Sequence, residues 1–233
     1  MVSSLEGEFQ QHPILRHEFL EALRAGLLSK EQVRIWVAQQ YWFSRQFPRC
    51  LAALYARIDD FEASRPLVDF LNVEHWGSGS PGAHWILFRD VLSFFDLNFE
   101  EMSWSQPLPE TSEYLNLRLN MCLRKTPEEA LGVVAFGHEF VNCSIFEAYL
   151  GGMERLPDIT DRALSYFRAH VAEEPNDYRL LREIMISTCQ TPESWRLVKI
   201  GAHDVLSERS VFFDRIFARI GGMKSIASKI ISM

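Results

Sequence analysis

Apolar residues recur at spacings of three and four along nearly the whole chain, and β-branched residues never alternate with polar ones over a strand-length stretch. The first pattern is that of one helix face, and the missing alternation argues against strands. The sequence therefore predicts an all-α protein. Helix punctuation divides it into seven to nine segments, which we expect to form a single compact bundle over residues 1–233, with a core of about 12–220.

Capping residues, prolines and glycines mark the expected helix boundaries. The predicted helices span about 29–58, 63–75, 83–95, 110–123, 126–150, 161–171, 176–188 and 191–220. Pro48 is expected to bend its helix without ending it, because the apolar pattern resumes beyond it. Gly151 and Gly152 are expected to close the helix that begins at Thr126. The polar stretch 97–109 is predicted to be a loop.

Charge and cysteine usage narrow the class of protein. The chain holds 31 acidic and 24 basic residues, a net charge of −7, which is the wrong sign for binding nucleic acid. No apolar run approaches the roughly 20 residues of a membrane-spanning helix. The four cysteines form no CxxC pair, and the first thirty residues lack a secretory signal pattern. We therefore expect a cytoplasmic protein with free thiols and no membrane partner.

Glu139 is a carboxylate on an otherwise apolar helix stripe. The uncharged members of that stripe are Gly132, Phe136, Cys143, Phe146 and Leu150. A buried carboxylate costs several kcal/mol unless it is neutralised or finds a cation. The partner is either an Arg or Lys from another helix or a metal ion, and the sequence around Glu139 alone leaves both open.

Further acidic and imidazole side chains lie near helix ends. Glu74 and His84 flank a Gly/Ser/Pro break, while His170 and Glu174 are four residues apart and Asp177 follows one turn later. Individually they fit a hydrogen-bonded core histidine or a solvated acidic helix end. Together, two Glu and two His from separate helices with two more carboxylates form the ligand set of iron or manganese ions. The tighter His or Cys spacing of a zinc site is absent.

Several short motifs resemble a known family. They are Leu28-Ser29-Lys30-Glu31-Gln32, Gln40-Tyr41, Phe47-Pro48-Arg49 and Ile58-Asp59-Asp60. They are similar to the family of the chlamydial protein associating with death domains (CADD-like), in the haem-oxygenase-like superfamily with thiaminase II and pyrroloquinoline-quinone synthase (TENA/PQQ synthase C-like). The resemblance covers about His12 to Phe217 and implies a helical bundle around a central cavity.

The resemblance also implies a ligand set, drawn from the di-iron branch of the superfamily. The family's ligand positions that match outright are Glu74, His84, Glu139 and His170. Glu174 stands where the family usually has Asp, and Asp177 replaces a His. Pro175 disfavours helix at Glu174, so the two predicted helices on either side are not expected to be continuous. The sequence therefore leaves open whether the protein binds one ion or two.

The function that these residues and the resemblance imply is a non-haem iron oxidase or oxygenase. It would bind Fe²⁺, with Mn as an alternative, and would act with O2 on a small organic substrate in a biosynthetic pathway. Tyr41 is the candidate catalytic side chain, because a buried hydroxyl needs a polar partner. Other candidates for the cavity wall are Phe43, Phe47, Trp85 and Phe136. The family further implies a homodimer.

Two other readings remain open. A metal-free member of the superfamily would act as a binding or interaction protein and would pair Glu139 with a basic side chain. A thiaminase II-like hydrolase would use Cys143, although Gln40 and Phe43 replace the polar partners of that thiol. The substrate-binding Arg, His and Lys set of the quinone synthase is not found. The tyrosine and lysine of self-sacrificing p-aminobenzoate synthesis fall on Leu20 and Tyr149, so that reaction is not expected.

Overall fold

Helices joined by short turns make up the described part of the chain. The computed structural model describes residues 1–76 and 84–221, with the side chains of Trp76, His84 and Glu174 left out, and contains no strand in these ranges. Its helices are α1 (Val2–Phe9), α2 (Glu18–Arg24), α3 (Lys30–Tyr55), α4 (Phe61–Trp76), α5 (His84–Phe94), α6 (Phe99–Trp104), α7 (Pro109–Arg124), α8 (Pro127–Val134), α9 (Val141–Met153), α10 (Asp161–Thr188) and α11 (Pro192–Arg219), with a 3-10 turn at Pro13–Arg16 and a π-helical segment at Ala135–Phe140. None of them is long and apolar enough to cross a bilayer. The all-α prediction is confirmed.

The long helix α3 begins at the predicted cap. Ser29 Oγ accepts from the Gln32 backbone N–H at 3.3 Å, and Gln32 Oε1 accepts from the Ser29 N–H at 2.8 Å. This reciprocal pair satisfies two amide groups that the helix start leaves without intrahelical partners. As predicted, α3 continues through Pro48, so one rod of 26 residues can supply several turns of side chains to the interior.

The helices α8 and α9 form one rod, interrupted only by the π-helical segment between them. Thr126 and Glu129 form the predicted capping box at its start. The sequence predicts that the rod ends at Gly151 and Gly152, but it continues to Met153. The wider π turn inserts an extra residue and changes which side chains face each neighbour, and such turns are frequent at functional sites.

Helix α10 corrects the expectation of a break at Pro175. It runs without interruption from Asp161 to Thr188 and replaces the two shorter helices that the sequence predicts. A proline removes one intrahelical hydrogen bond, but packing of a long apolar face can outweigh that loss. Here α10 packs against α4, α5 and α9. His170 and Asp177, seven residues apart, therefore lie on one face of one helix.

The stretch 97–109 is also more ordered than the predicted loop. It contains α6, whose start is capped by Asn98: its Oδ1 accepts from the backbone N–H groups of Glu100 and Glu101 at 2.8 and 3.1 Å. The cap was present in the sequence as an Asn followed by acidic residues. This short helix matters because it supplies Phe99 and Ser103 to the cavity described below.

Helices α8 and α11 approach each other at two glycines. A Cβ added to Gly201 would lie 2.0 Å from the Glu129 carbonyl oxygen, and one added to Gly132 would lie 2.0 Å from that of Val198. Only glycine fits where two backbones come this close. The contact fixes α8, and with it the π-helical segment that follows, against α11.

We predict that Gly201→Ala lowers the free energy of unfolding by about 3 kcal/mol, because the α8 backbone must move to admit the methyl group. The matched control is Gly151→Ala, where the added Cβ meets only Arg24 Cγ at 3.8 Å. That variant should be as stable as the wild type or more so by about 0.5–1 kcal/mol, since alanine favours helix over glycine. Urea unfolding followed by circular dichroism measures both, and equal stability of the two variants would contradict the close packing.

Candidate functional site

A cavity of about 420 Å³ lies between α3, α4, α5, α6, α10, α11 and the rod formed by α8 and α9. Its wall combines aromatic rings with polar and charged side chains. The predicted ligand residues that line it are Glu74, Glu139, His170 and Asp177. The side chains of the other two, His84 and Glu174, lie outside the described part of the structure. The bundle thus brings together, around one interior space, side chains that are more than a hundred positions apart in sequence.

Three of these four side chains are almost fully buried. Glu139 is 3% exposed, His170 7% and Asp177 8%, while Glu74 is half-buried. Removing carboxylates from water costs several kcal/mol each, so such groups persist in an interior only with compensating charge or hydrogen bonds. The acidic groups and the imidazole reach the cavity from three separate elements: α4, the π-helical segment and α10.

The ring of His170 is held in one orientation. Its Nδ1 lies 2.8 Å from the Tyr166 carbonyl oxygen, and the ring stacks on Phe146 with centroids 4.1 Å apart and planes at 12°. A carbonyl oxygen only accepts, so Nδ1 carries a proton, and the neutral form of the ring has its lone pair on Nε2. Metal-binding histidines commonly donate from one ring nitrogen to a backbone carbonyl in this way, which fixes the tautomer that coordinates.

His138, beside Glu139, is a site residue that the sequence analysis missed. Its Nδ1 lies 3.2 Å from Arg118 Nη1, and because a guanidinium only donates, the proton of this imidazole is on Nε2. That nitrogen is 3.8 Å from Glu139 Oε1, too far for a hydrogen bond. Burial, followed by the charges of Arg118, Arg209 and His170, holds the pKa of His138 well below its usual range. The ring is therefore neutral at physiological pH and does not neutralise Glu139.

Two buried arginines flank this side of the cavity, and both engage neutral acceptors. Arg118, 1% exposed, donates to Gln46 Oε1 at 3.1 Å and to the Phe43 carbonyl at 3.2 Å, besides His138. Arg209, 2% exposed, donates to Asn142 Oδ1 at 2.9 Å. In the metal-free alternative, a basic side chain pairs with Glu139. The hydrogen bonds of Arg118 and Arg209 go to other acceptors, so neither guanidinium is that partner.

The π-helical segment decides which residues of its rod face the cavity. Glu139, Asn142 and Phe146 line it, whereas Phe136 packs on Phe9 with ring centroids 4.9 Å apart. Phe136 is not among the residues that line the cavity, so the prediction that it belongs to the cavity wall is not supported. The extra residue of the π turn rotates the residues that precede Glu139 by about 100° around the helix axis. They therefore leave the face that a regular α-helix would share with Glu139.

Of the remaining predicted wall residues, Tyr41, Phe43, Phe47 and Trp85 do line the cavity. The Tyr41 side chain is buried, and its hydroxyl has the polar partners that its burial predicts. It lies 3.0 Å from Ser103 Oγ and 3.1 Å from Arg45 Nη1. Trp85 is 44% exposed and its Nε1 donates to the His75 carbonyl, so it lies at the rim and not in the interior.

The chemistry of the donors matches iron or manganese, which favour carboxylate and imidazole ligands. Within the residues whose side chains are described, no three His, Cys, Asp or Glu groups come together closely enough to hold a metal ion. Two of the six predicted ligands are not among those side chains. The described side chains supply buried carboxylates and an imidazole that can coordinate through Nε2. These are the types of ligand that iron and manganese prefer.

Comparison with known proteins identifies the family. Residues 8–194 match the TENA/THI-4/PQQC family. The chain belongs to this family. Among its relatives, the 4-aminobenzoate synthase of Chlamydia pneumoniae is 24% identical over 206 residues, covering 88% of this chain and 89% of that protein. The pyrroloquinoline-quinone synthase of Gluconobacter oxydans is 26% identical over 193 residues, covering 80% and 77%.

A solved structure supports the fold of this TENA/THI-4/PQQC member. A domain of unknown function with a heme oxygenase-like fold from Shewanella denitrificans superposes with a TM-score of 0.79, covering 97% of this chain and 95% of its own, at 17% identity. The haem-oxygenase-like fold expected from the sequence motifs is therefore confirmed. The relatives named as synthases show that the family includes enzymes that act on small molecules.

Cys143 has the wrong environment for the nucleophile of a thiaminase II-like member of this family. The side chain is half-buried, and its Sγ lies 3.6 Å from the Glu139 carbonyl oxygen. Burial, followed by the charge of Glu139, raises the pKa of the thiol to about 11. With that pKa, roughly one thiol in ten thousand is ionised at pH 7. The thiolate that nucleophilic attack requires is therefore scarce.

We predict that alkylation of Cys143 by iodoacetamide accelerates about tenfold per pH unit between pH 7 and 9.5 without levelling off. The raised pKa disfavours the thiolate throughout this range. Peptide mass spectrometry after timed quenching measures the rate at this one cysteine, with Cys143→Ser identifying its signal. A plateau beginning near pH 7 would show an activated thiol and would restore the hydrolase reading.

Proposed function

We propose that the protein is a non-haem iron oxidase or oxygenase that acts with O2 on a small organic substrate. Glu74, His84, Glu139 and His170 would hold iron, and Glu174 and Asp177 would complete a second ion's ligands. The observation that carries the proposal is that Glu139, His170 and Asp177, each more than nine-tenths buried, line one cavity together with Glu74. A cation bound among them would offset the cost of burying their charge.

The continuous helix α10 supports the second ion. His170 and Asp177 are two turns apart on the same face, and both line the cavity. Had Pro175 ended the helix, Asp177 would have no fixed relation to His170. We therefore propose that Asp177 takes the role of the histidine that usually stands at its position, with a carboxylate in place of an imidazole.

The protein's own contribution to the reaction is positioning and exclusion of water. The hydrogen bond from His170 Nδ1 to the Tyr166 carbonyl fixes the ring so that Nε2 is the nitrogen that would donate its lone pair to the ion. Bound reduced iron would supply electrons and open coordination positions for dioxygen. The aromatic wall, including Phe43, Phe47 and Phe146, excludes water from reactive species and contacts the apolar part of the substrate.

Tyr41 is the side chain that we propose to touch the substrate at the outer part of the cavity. Its hydroxyl accepts from Arg45, and it donates to Ser103 Oγ because the hydroxyl proton of Ser103 goes to the Phe99 carbonyl at 3.0 Å. This chain of hydrogen bonds fixes the phenol in the cavity wall. Tyr41 would orient the substrate from that position.

Iron binding tests the proposal directly. The wild type, loaded anaerobically with Fe²⁺ and then desalted, should retain one or two ions, measured by elemental analysis. Glu139→Ala and His84→Ala should each lower the iron affinity by about 100-fold or more. Loss of a residue that merely supports a ligand already costs about 10- to 100-fold, and loss of a ligand should cost at least as much. Asp177→Ala should reduce the number of bound ions and should have a smaller effect on the affinity for the first ion.

The matched control is Glu147→Ala, which removes an exposed carboxylate two turns further along the same rod. It should bind iron like the wild type. Wild-type protein that retains no iron, or Glu139→Ala and His84→Ala proteins that bind it as well as the control, would defeat the oxygenase proposal in favour of a metal-free binding protein.

The proposal includes the homodimer that the family resemblance implies. We expect light scattering coupled to size exclusion to give a mass of about twice 27.0 kDa at micromolar concentration. A mass of one chain across that concentration range would contradict this part of the proposal without bearing on the metal site.

A further inference from the structure

We propose that the rim of the cavity binds a carboxylate of the substrate through Arg45, which makes the substrate class small organic acids with an apolar body. The inference deepens the proposed function by naming a substrate class, and its reaction rests on that function. The binding itself does not require iron. Four observations carry it: a cationic rim, its hydrogen-bond order, the positions along α3, and the size and lining of the space behind it.

Two exposed guanidinium groups rest on aromatic rings at this side of the molecule, and of the two Arg45 lines the cavity whereas Arg89 is not among its lining residues. Arg45 Cζ lies 5.6 Å from the Trp42 ring centroid, and Arg89 Cζ lies 4.4 Å from the Phe99 centroid and 5.4 Å from that of Trp85. Stacking of this kind holds a guanidinium plane while leaving its N–H edge available. Neither arginine lies within 4.0 Å of a carboxylate in the parts of the chain with described side chains, although the protein as a whole carries a net charge of −7.

The hydrogen bonds at the rim leave Arg45 as the donor. Ser103 donates to the Phe99 carbonyl, Tyr41 donates to Ser103, and Arg45 Nη1 donates to the Tyr41 oxygen. Each hydroxyl proton is therefore used within the wall. The guanidinium has five N–H donors and spends one on Tyr41, so its remaining donors can form the paired hydrogen bonds with which arginine binds a carboxylate.

Two neighbouring stripes of α3 separate this rim from the acidic end of the cavity. Tyr41 contacts α6 through Ser103, and Arg45, one turn further along α3, donates to the Tyr41 hydroxyl. Phe43 and Phe47 stack on His138, at 5.5 and 3.8 Å between ring centroids, next to Glu139. A ligand with its carboxylate at Arg45 would thus extend along aromatic rings toward the buried acidic groups, which disfavour a second negative charge at that end.

The cavity volume limits the size of the acid. At about 420 Å³ it belongs to the small end of ligand sites, and its middle is lined by rings such as Phe88, 6.4 Å from the Tyr41 ring. This space suits an acid with one aromatic ring or a short alkyl chain. An organic amine of the same size would meet repulsion if its charge lay at the rim, and a neutral amide would gain no charge-assisted hydrogen bond there.

Calorimetric titration of the metal-free protein tests the inference with three matched probes: 3-phenylpropionate, 3-phenylpropanamide and 3-phenylpropylamine. We expect the wild type to bind the acid about tenfold more tightly than the amide, the size of effect that one charge-assisted contact gives. In Arg45→Met the preference for the acid should fall to about twofold or less. Arg45→Lys, which keeps the charge but loses the planar fork, should retain an intermediate preference.

The matched control is Arg49→Met, which removes another exposed arginine one turn further along α3 and should leave the preference at its wild-type value. Thermal melts of all variants verify that they are folded. Equal affinity for acid and amide in the wild type, or no binding of the acid at millimolar concentration, would overturn the inference. So would an acid preference that survives Arg45→Met, because the carboxylate would then lie elsewhere in the cavity.

This experiment and the iron experiment fail independently. The titration uses protein without metal, so loss of the iron proposal leaves an observed acid preference standing as evidence for an acid-binding protein. Conversely, iron retention with no acid preference would keep the oxygenase proposal and remove only the substrate class.

Discussion

The burial of carboxylates inside an aromatic-walled cavity is the constraint on which the account of this protein depends. Glu139 and Asp177 lie at 3% and 8% exposure, where a charged group costs several kcal/mol unless another charge or hydrogen bonds compensate it. The hydrogen bonds of the buried basic groups nearby go to neutral acceptors. His138 is neutral because of its burial, and Arg118 and Arg209 donate to amide, carbonyl and imidazole acceptors. In the function proposed above, a cation bound in the cavity would contribute to this compensation.

The fold gives each part of the cavity a different character. Its α4, α10 and π-helical elements supply acidic groups and His170, α3 supplies aromatic rings, and the α3 and α6 contact supplies the hydrogen-bonded rim of Tyr41 and Ser103. The glycine contact between α8 and α11 supports this arrangement, because it fixes the rod that carries Glu139. The exposed guanidinium of Arg45 thus lies at the rim, whereas the buried carboxylates line the interior together with the buried guanidinium of Arg209.

Much of the fold could be predicted because its signals are local. Capping boxes at Ser29 and Thr126 and the three- and four-residue apolar spacing depend on neighbouring residues, and both helix starts are confirmed. The errors arose where tertiary packing overrides local preference. Pro175 lies inside a continuous helix because α10 is packed along its length, and the π turn moves Phe136 off the cavity face. Neither effect leaves a pattern in a single sequence.

The candidate site was partly accessible to the same reasoning. A carboxylate on an apolar stripe singled out Glu139, and positions near helix ends singled out Glu74, His170 and Asp177. The family resemblance assigned them to one ligand set, and all four line one cavity. His138 and Asn142 were missed because their importance comes from partners on other helices, Arg118 and Arg209. Arg45 was missed because its position depends on Tyr41, whose hydroxyl is held by Ser103 of α6. Whether a polar residue faces a cavity or solvent is decided by packing, which the sequence encodes only collectively.

The central claim is that a metal ion neutralises the buried acidic groups, and an anomalous difference map at the iron absorption edge tests it most directly. Crystals grown or soaked anaerobically with Fe²⁺ should show a peak within bonding distance of Glu139 and His170 Nε2. A map without a peak in the cavity, in a crystal where Glu139 instead contacts a guanidinium or ammonium group, would contradict the account.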